Sequence, residues 1–230
     1  MPHPWIALFD IDGTLLRVQH SFVRPMLRAI LQEFEIDYPN MEKDAFSGRT
    51  DHDILNSFLV NHGYSNSLYS QIKERYIQQT DTLLAPEHVE PLPYIHQAID
   101  FFDAMNAEVG LLTGNYPRSA QAKLRAAQIE YPFSFGIFGE FHKNRNDLPL
   151  LALDEVKDRL GVQPDPSKFL IIGDTPKDVE CAKFAGMKSV AIATGNYSYE
   201  ELMETDADIV LHNLSEPEVW FNQLINNASL

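Results

Sequence analysis

Two aspartates that follow a short apolar run have the types and the spacing best suited to chemistry. Asp10 and Asp12 come after residues 5–9, and Gly13 lets the backbone turn away. Side chains two apart on an extended chain share a direction, so both carboxylates lie at the end of one strand. Two carboxylates about 4 Å apart repel by about 4 kcal/mol at an effective dielectric constant of about 20, which favours a bound cation or a shared proton. The pair therefore predicts a functional site. The alternative is that the two aspartates only end a strand and cap a turn.

Two later polar clusters also follow apolar runs. Residues 113–115 (Thr-Gly-Asn) follow one run, and residues 173–178 (Gly-Asp-Thr-Pro-Lys-Asp) follow another. In an open parallel sheet all three clusters meet at the carboxyl edge of the strands. The Thr113 hydroxyl and the N–H groups of the next helix are suited to phosphate, and Asp174 adds a third carboxylate for Mg²⁺. The alternatives are a strand-to-helix cap and an ordinary turn.

The rest of the chain supplies elements that could position these clusters. Helical patterns at 94–105, 118–128, 150–160, 177–184 and 217–225 alternate with apolar runs at 108–112, near Ile137, and at 169–172, 189–193 and 209–211. This alternation predicts an α/β fold, a doubly wound parallel sheet with helices on both faces.

Residues 16–85 break that alternation. Three amphipathic patterns, over 22–34, from 53 onward and over 68–83, predict an insertion made of helices, and Pro86, Pro91 and Pro93 mark the return of the chain. We expect residues 1–15 and 86–230 to form the core domain and residues 16–85 a small all-helical domain on two hinges.

Composition limits the possible partners. The chain has 33 acidic and 18 basic residues, a net charge of −15, which argues against nucleic acid and an anionic membrane surface as partners. The single cysteine, Cys181, forms no internal disulfide and is expected to fill the core. With no leader pattern at its start, the sequence predicts a soluble cytoplasmic protein, a monomer or a homodimer.

The three motifs together resemble the haloacid dehalogenase-like superfamily, and the helical insertion resembles its C1-type cap. The resemblance covers essentially the whole chain and implies a Rossmann-like core. It also implies that Asp10 is the nucleophile that forms an aspartyl-phosphate, and that Asp12 is the acid/base that protonates the leaving group and later activates water. Dehalogenases of this superfamily lack the second aspartate, so Asp12 favours a phosphatase.

The same resemblance implies a magnesium site. The ligands would be the Asp10 carboxylate, the Asp12 backbone carbonyl and Asp174, with Asp178 as a further ligand or a support for one. Thr113, with its neighbours Gly114 and Asn115, would bind the phosphoryl group.

This sequence departs from the common pattern of the superfamily at one cationic residue. The superfamily usually has Lys before its third acidic motif, whereas residues 141–147 resemble a subgroup in which Arg145 takes that place. Arg145 can form two bonds to phosphate and is preferred over Lys143, although either residue could be a solvated loop charge.

A cap segment, residues 47–51, resembles the specificity loop of phosphoglycolate phosphatase-like members. Arg49 would then meet an anionic leaving group when the cap closes. The alternative is an exposed Arg49 beside a helix N-cap at Thr50 or Asp51.

These features predict a magnesium-dependent phosphatase of a small phosphorylated metabolite. A phosphomutase is the nearest alternative because a reversible aspartyl-phosphate serves both reactions. A receiver-like module phosphorylated on Asp10 is an alternative from another class. Phosphonate cleavage would need a Schiff-base lysine in the cap, for which Lys43 is a weak candidate.

Overall fold

The computed structural model describes residues 4–37, 46–161 and 163–226. The strands are β1 (Ile6–Phe9), β2 (Leu16–Val18), β3 (Val89–Pro91), β4 (Glu108–Thr113), β5 (Gly136–Phe138), β6 (Phe169–Gly173), β7 (Lys188–Ile192) and β8 (Ile209–Leu211). The helices are α1 (His20–Glu33), α2 (Asp51–Asn61), α3 (Tyr69–Leu83), α4 (Ile95–Ala104), α5 (Pro117–Ala126), α6 (Asp147–Leu160), α7 (Pro176–Phe184), α8 (Tyr199–Met203) and α9 (Pro217–Asn226).

Six parallel strands form one sheet in the order β5-β4-β1-β6-β7-β8. The predicted doubly wound α/β fold is confirmed. Strand β1 lies between β4 and β6, and Phe9 pairs with Leu111 on one side and Ile172 on the other. The chain therefore leaves β1, β4 and β6 at the same edge of the sheet, where the strand order diverges from β1 in both directions.

Apolar side chains cover both faces of the sheet. One face packs against α4 and α9 through the buried rings of Phe102, Trp220 and Phe221. The other face packs against α6 and α7, where Leu148 and Cys181 are fully buried. The expected core position of Cys181 is thus confirmed, and burial raises the pKa of its thiol to about 12.

Helices α1, α2 and α3 pack around a separate small core that contains Ile30, Leu59 and Ile72. At its base, β2 pairs with β3 in a two-stranded antiparallel ribbon. The sequence did not predict this ribbon, because each strand has only three residues and β3 ends in Pro91. The weak candidate Lys43 falls outside the described residues.

The short helix α8 was also not predicted. It begins with a capping box between Ser198 and Glu201 and has five residues, too few for a periodic pattern. Within the described parts of the chain, no helix combines the length and apolar character needed to cross a bilayer.

Candidate active site

Three carboxylates meet beyond the ends of β1 and β6. Asp10 directly follows β1 and donates its backbone N–H to the Ile172 carbonyl at 3.0 Å. Asp174 directly follows β6, and Asp178 lies in the first turn of α7. The carboxylates of Asp10, Asp174 and Asp178 each place an oxygen within 4.8 Å of the others, and all three residues are buried.

Arg145 is the cation that contacts this cluster in the described structure. Its Nη2 lies 2.5 Å from Asp178 Oδ1 and 3.3 Å from Asp10 Oδ2, and its side chain is only 4% exposed. Burial acts to lower the pKa of Arg145, but Asp178 and Asp10 outweigh it and raise that pKa. Lys143 is exposed, so the structure brings Arg145 and not Lys143 into contact with Asp10.

The cluster carries more negative charge than one arginine balances. Burial, only partly offset by Arg145, raises the pKa of Asp10 to about 6. Burial, followed by the nearby Asp178 and Asp10 charges, raises the pKa of Asp174 well above its ordinary value. Asp174 Oδ1 is buried with no hydrogen-bond partner in the described residues. An unpartnered carboxylate oxygen in an electron-rich, all-oxygen cluster fits a divalent cation such as Mg²⁺.

The two oxygens of Asp178 are already engaged. Oδ1 accepts from Arg145, and Oδ2 accepts from the Thr175 backbone N–H at 3.1 Å and from its hydroxyl at 2.7 Å. Asp10 and Asp174 are therefore better placed to hold a metal ion, while Asp178 fixes Arg145 and the start of α7.

Glycines enclose Asp174 on two sides. A Cβ atom at Gly13 or at Gly195 would overlap its carboxylate. Gly13 also has a φ of +82°, which other residues rarely adopt. The carboxylate of Asp174 thus occupies a fixed slot between the turn after β1 and the loop after β7.

Asp12 lies at the edge of the cluster with its side chain 41% exposed. Its Oδ2 accepts from Lys123 Nζ at 2.5 Å, and Lys123 also donates to Asn115 Oδ1 at 3.0 Å. Burial acts to lower the pKa of Lys123, but Asp12 and neighbouring acidic groups outweigh it and raise that pKa. Lys123 is therefore charged at neutral pH and holds the Asp12 and Asn115 side chains together.

The loop after β4 is buried and partly hydrogen-bonded to itself. Thr113 Oγ1 accepts from the Asn115 backbone N–H at 3.3 Å. The Gly114 carbonyl accepts from Asp51 N–H at 2.8 Å, and the Tyr116 N–H donates to Asp51 Oδ2 at 2.9 Å. One N–H group before α5 is thus occupied by a side chain from the helical insertion.

Residues 48–51 seat the insertion on this loop. Thr50 caps α2 by accepting from the Asp53 N–H at 3.0 Å, and its hydroxyl donates to the His142 carbonyl at 2.6 Å. The helix N-cap that formed part of the alternative interpretation is therefore present at Thr50, but the exposed Arg49 of that alternative is not. Arg49 is partly buried and pairs with Asp53 at 2.7 Å. A Cβ atom at Gly114 would overlap the Arg49 backbone, so the two segments are in close contact.

A cavity of about 560 Å³ separates the sheet edge from helices α1, α2 and α3. Its floor contains the predicted site residues Asp10, Asp12, Thr113, Gly114, Asn115, Arg145 and Asp174, and Arg49 also lines it. Its roof includes apolar side chains such as Leu27, Leu55 and Phe58, together with Arg24 and Arg28. The cavity therefore joins a charged floor to a mixed apolar and cationic roof, a combination suited to a phosphorylated organic molecule.

Three site residues were not singled out from the sequence. Lys123 is a charged residue among the buried alanines of α5, Ala120, Ala122 and Ala126, and a lysine among alanines is the signal that could have found it. Asp51 was considered only as a possible N-cap; its burial raises its pKa to about 6. Gly195 belongs to residues 194–197, which repeat the Thr-Gly-Asn-Tyr of residues 113–116 after another strand.

Comparisons with known proteins agree with this geometry. The family model described as haloacid dehalogenase-like hydrolase matches residues 7–192. A phosphorylated carbohydrates phosphatase from Thermotoga maritima is 24% identical over 184 residues, which cover 80% of this chain and 82% of that protein. Phosphoglycolate phosphatase from Escherichia coli is 28% identical over 141 residues, 61% of this chain and 51% of that protein, so the chain matches about half of that relative.

Solved structures share the fold. The β-phosphoglucomutase structure from Clostridium difficile superposes with a TM-score of 0.74 at 19% sequence identity and covers 99% of this chain and 100% of its own. The family model spans most of the chain, and the strand ends carry the acidic residues that the resemblance required. The chain therefore belongs to the haloacid dehalogenase-like hydrolase family.

Proposed function

We propose that this protein is a magnesium-dependent phosphatase that hydrolyses a small phosphorylated metabolite through an aspartyl-phosphate on Asp10. The observation that carries the proposal is the buried cluster of Asp10, Asp174 and Asp178 around Arg145, at the floor of a cavity large enough for an organic leaving group. The phosphatase names of its curated relatives agree with this activity.

In the first step, a carboxylate oxygen of Asp10 attacks phosphorus and the bond from phosphorus to the leaving oxygen breaks. Asp12 gives its proton to that oxygen, so the alcohol leaves as a neutral molecule. In the second step, Asp12 takes a proton from water as the water oxygen attacks the phosphorus of the aspartyl-phosphate. Phosphate is released and Asp10 returns as a carboxylate.

Arg145 and the loop at residues 113–115 would hold the phosphoryl oxygens during both steps. The guanidinium is fixed by Asp178, so it needs little reorganisation when phosphate arrives. The buried Thr113 hydroxyl offers one further donor.

Asp10, Asp174 and the backbone carbonyl of Asp12 would hold Mg²⁺, with Asp178 in support. Bound there, the ion supplies positive charge beside the phosphoryl oxygens and offsets the repulsion among the carboxylates. The orphaned Asp174 Oδ1 is the feature of this chain that most favours such a ligand.

The helical insertion, residues 16–85, would act as a cap on the core formed by residues 1–15 and 86–230. With residues 48–51 seated on the Gly114 loop, the cap would exclude bulk water from the reaction and place Arg49 near the leaving group. A soluble enzyme of the cytoplasm, monomeric or homodimeric, completes the proposal.

The proposal is tested by comparing the wild type with Asp10→Asn in p-nitrophenyl phosphate hydrolysis, with and without Mg²⁺. Removing the nucleophile should lower turnover at least about 1,000-fold. Asp206→Asn, which changes an exposed aspartate, is the matched control and should keep the wild-type rate. Full turnover by Asp10→Asn would refute the proposal. If the wild type is active and Asp10→Asn is not, assays with a panel of phosphorylated metabolites would identify which of them the enzyme prefers.

Two alternatives give different products. A phosphomutase would return an isomeric phosphate ester instead of inorganic phosphate, so product analysis of the same reactions separates it. A receiver-like module would accept a phosphoryl group once and release no steady flow of phosphate. The cavity between the sheet edge and the helical insertion favours an enzyme over such a module.

A further inference from the structure

Lys123 is a buried lysine, and the burial of its charge has to be explained. It lies in the second turn of α5 and is 8% exposed. Taking an ammonium group out of water is costly unless it is paired and hydrogen-bonded. A methionine or leucine would fill a similar volume without the cost of desolvating a charge, so we expect the ammonium group of Lys123 to serve a function.

The contacts of Lys123 lead to Asp12. Its Nζ donates to Asp12 Oδ2 at 2.5 Å and to Asn115 Oδ1 at 3.0 Å. Asn115 is itself anchored, because its backbone carbonyl accepts from the Gly139 N–H at 3.2 Å and its N–H donates to Thr113. Asp51 from the helical insertion is near enough for its charge to act on Lys123. The ammonium group is therefore held from several sides.

Asp12, in contrast, is fixed mainly by Lys123. Its side chain is 41% exposed, and the hydrogen bond from Lys123 is the contact recorded for its carboxylate in the described structure. That bond engages Oδ2 and leaves Oδ1 available for proton transfer. Without it, an aspartate on the turn before Gly13 could adopt several rotamers in the cavity.

We propose that Lys123 is a positioning residue that holds the Asp12 carboxylate for proton transfer to the leaving oxygen and from water. The inference rests on the proposed function, in which Asp12 is the acid/base. The proton moves between Oδ1 and the reacting oxygen, while Lys123 keeps its own protons and its bond to Oδ2. Lys123 thus acts through Asp12 and not on the phosphoryl group.

The two steps separate this role from a structural one. The nitrophenolate of p-nitrophenyl phosphate leaves without a proton, so the first step needs little help from Asp12, whereas hydrolysis of the aspartyl-phosphate still needs a base. Lys123→Met should therefore form the phosphoenzyme readily and hydrolyse it slowly. We expect a rapid burst of nitrophenolate, followed by a steady-state rate about 10- to 100-fold below the wild type.

A double-mutant cycle adds a second readout. If Lys123 acts through Asp12, the variant combining Lys123→Met with Asp12→Asn should be about as slow as Asp12→Asn alone. Lys123→Arg, which keeps a charged donor, should recover part of the steady-state rate. Lys183→Met removes a lysine that pairs with Asp208 away from the cavity, and it should match the wild type.

Other outcomes overturn the inference. If the rate losses of Lys123→Met and Asp12→Asn multiply in the double variant, Lys123 has a structural or phosphate-binding role. The same conclusion follows if Lys123→Met slows the burst and the steady-state rate equally. Wild-type kinetics in Lys123→Met would exclude any role. If Lys123→Met does not fold, as judged by thermal melting, Lys123→Gln takes its place under the same criteria. A wild type that releases no phosphate would instead contradict the proposed function.

Discussion

Arg145 Nη2 lies between two carboxylates, 2.5 Å from Asp178 Oδ1 and 3.3 Å from Asp10 Oδ2. All three side chains are at most 7% exposed, so water screens their charges poorly. Removing one partner from such a buried network leaves the remaining charges without compensation. The guanidinium is therefore needed for stability as well as for any phosphate contact.

Arg145→Met should lower the free energy of unfolding by about 3 kcal/mol in the absence of Mg²⁺. Urea unfolding measures this change. Arg118→Met is the matched control, because Arg118 forms exposed pairs with Glu74 and Asp81 and should cost no more than about 1 kcal/mol. Equal stability of the two variants would contradict the network as described.

Gly195→Ala should weaken the proposed magnesium site without removing one of its proposed ligands. The new methyl group would overlap the Asp174 carboxylate and displace it from its slot. The rise in melting temperature on addition of Mg²⁺ should shrink or disappear. Gly161→Ala is the control: its φ of +68° costs about 1 kcal/mol, but among the described residues, chain neighbours aside, no atom lies within 4 Å of the new Cβ, so its response to Mg²⁺ should be kept. Matching responses in the two variants would show that the slot is unimportant.

The response to Mg²⁺ should also depend on pH. Burial raises the pKa of Asp10 to about 6 and that of Asp174 well above its ordinary value, so both carboxyls bind protons more tightly in the folded state than in the unfolded state. For Asp10 this stabilisation is complete below about pH 4 and is lost as pH rises through about 6. The metal-free protein should therefore lose stability over this interval.

Because Mg²⁺ at the proposed site would compete with protons for the same carboxylate oxygens, the stabilisation by Mg²⁺ should grow as pH rises from about 5 to about 7. At a concentration about 100 times Kd it should approach about 2.7 kcal/mol. Thermal melting in Mg²⁺ and in chelator across this range checks the prediction. Asp174→Asn should abolish the difference and Asp206→Asn should not; a difference that is constant with pH would count against the site.

The sheet and the meeting of the acidic residues at its edge could be predicted from sequence because of the residues at the strand ends. An apolar run followed by Asp10, and another followed by Asp174, indicates both a buried strand and the place where it stops, and parallel strands necessarily bring those stops together. The short antiparallel ribbon and helix α8 escaped prediction because three to five residues carry too little periodicity.

The contacts of Lys123 could not be predicted in the same way. Its partner Asp12 is 111 positions away in the chain, and only the packing of α5 against the sheet brings the two together. The engagement of the Tyr116 N–H by Asp51 likewise depends on how the insertion sits on the core. Sequence patterns report local structure and the alternation of strands and helices, whereas such pairs depend on the tertiary contacts between elements.

The central claim is that Asp10 attacks phosphorus while the other acidic groups support it. Mass spectrometry of the acid-quenched Asp12→Asn variant, mixed with p-nitrophenyl phosphate and Mg²⁺, tests this directly, because that variant should form the aspartyl-phosphate and hydrolyse it slowly. We predict a mass increase of one phosphoryl group on the peptide that contains Asp10, absent from the variant that also carries Asp10→Asn. A phosphoryl group on another residue, or turnover with no labelled peptide in the quenched wild type and variant, would contradict the account.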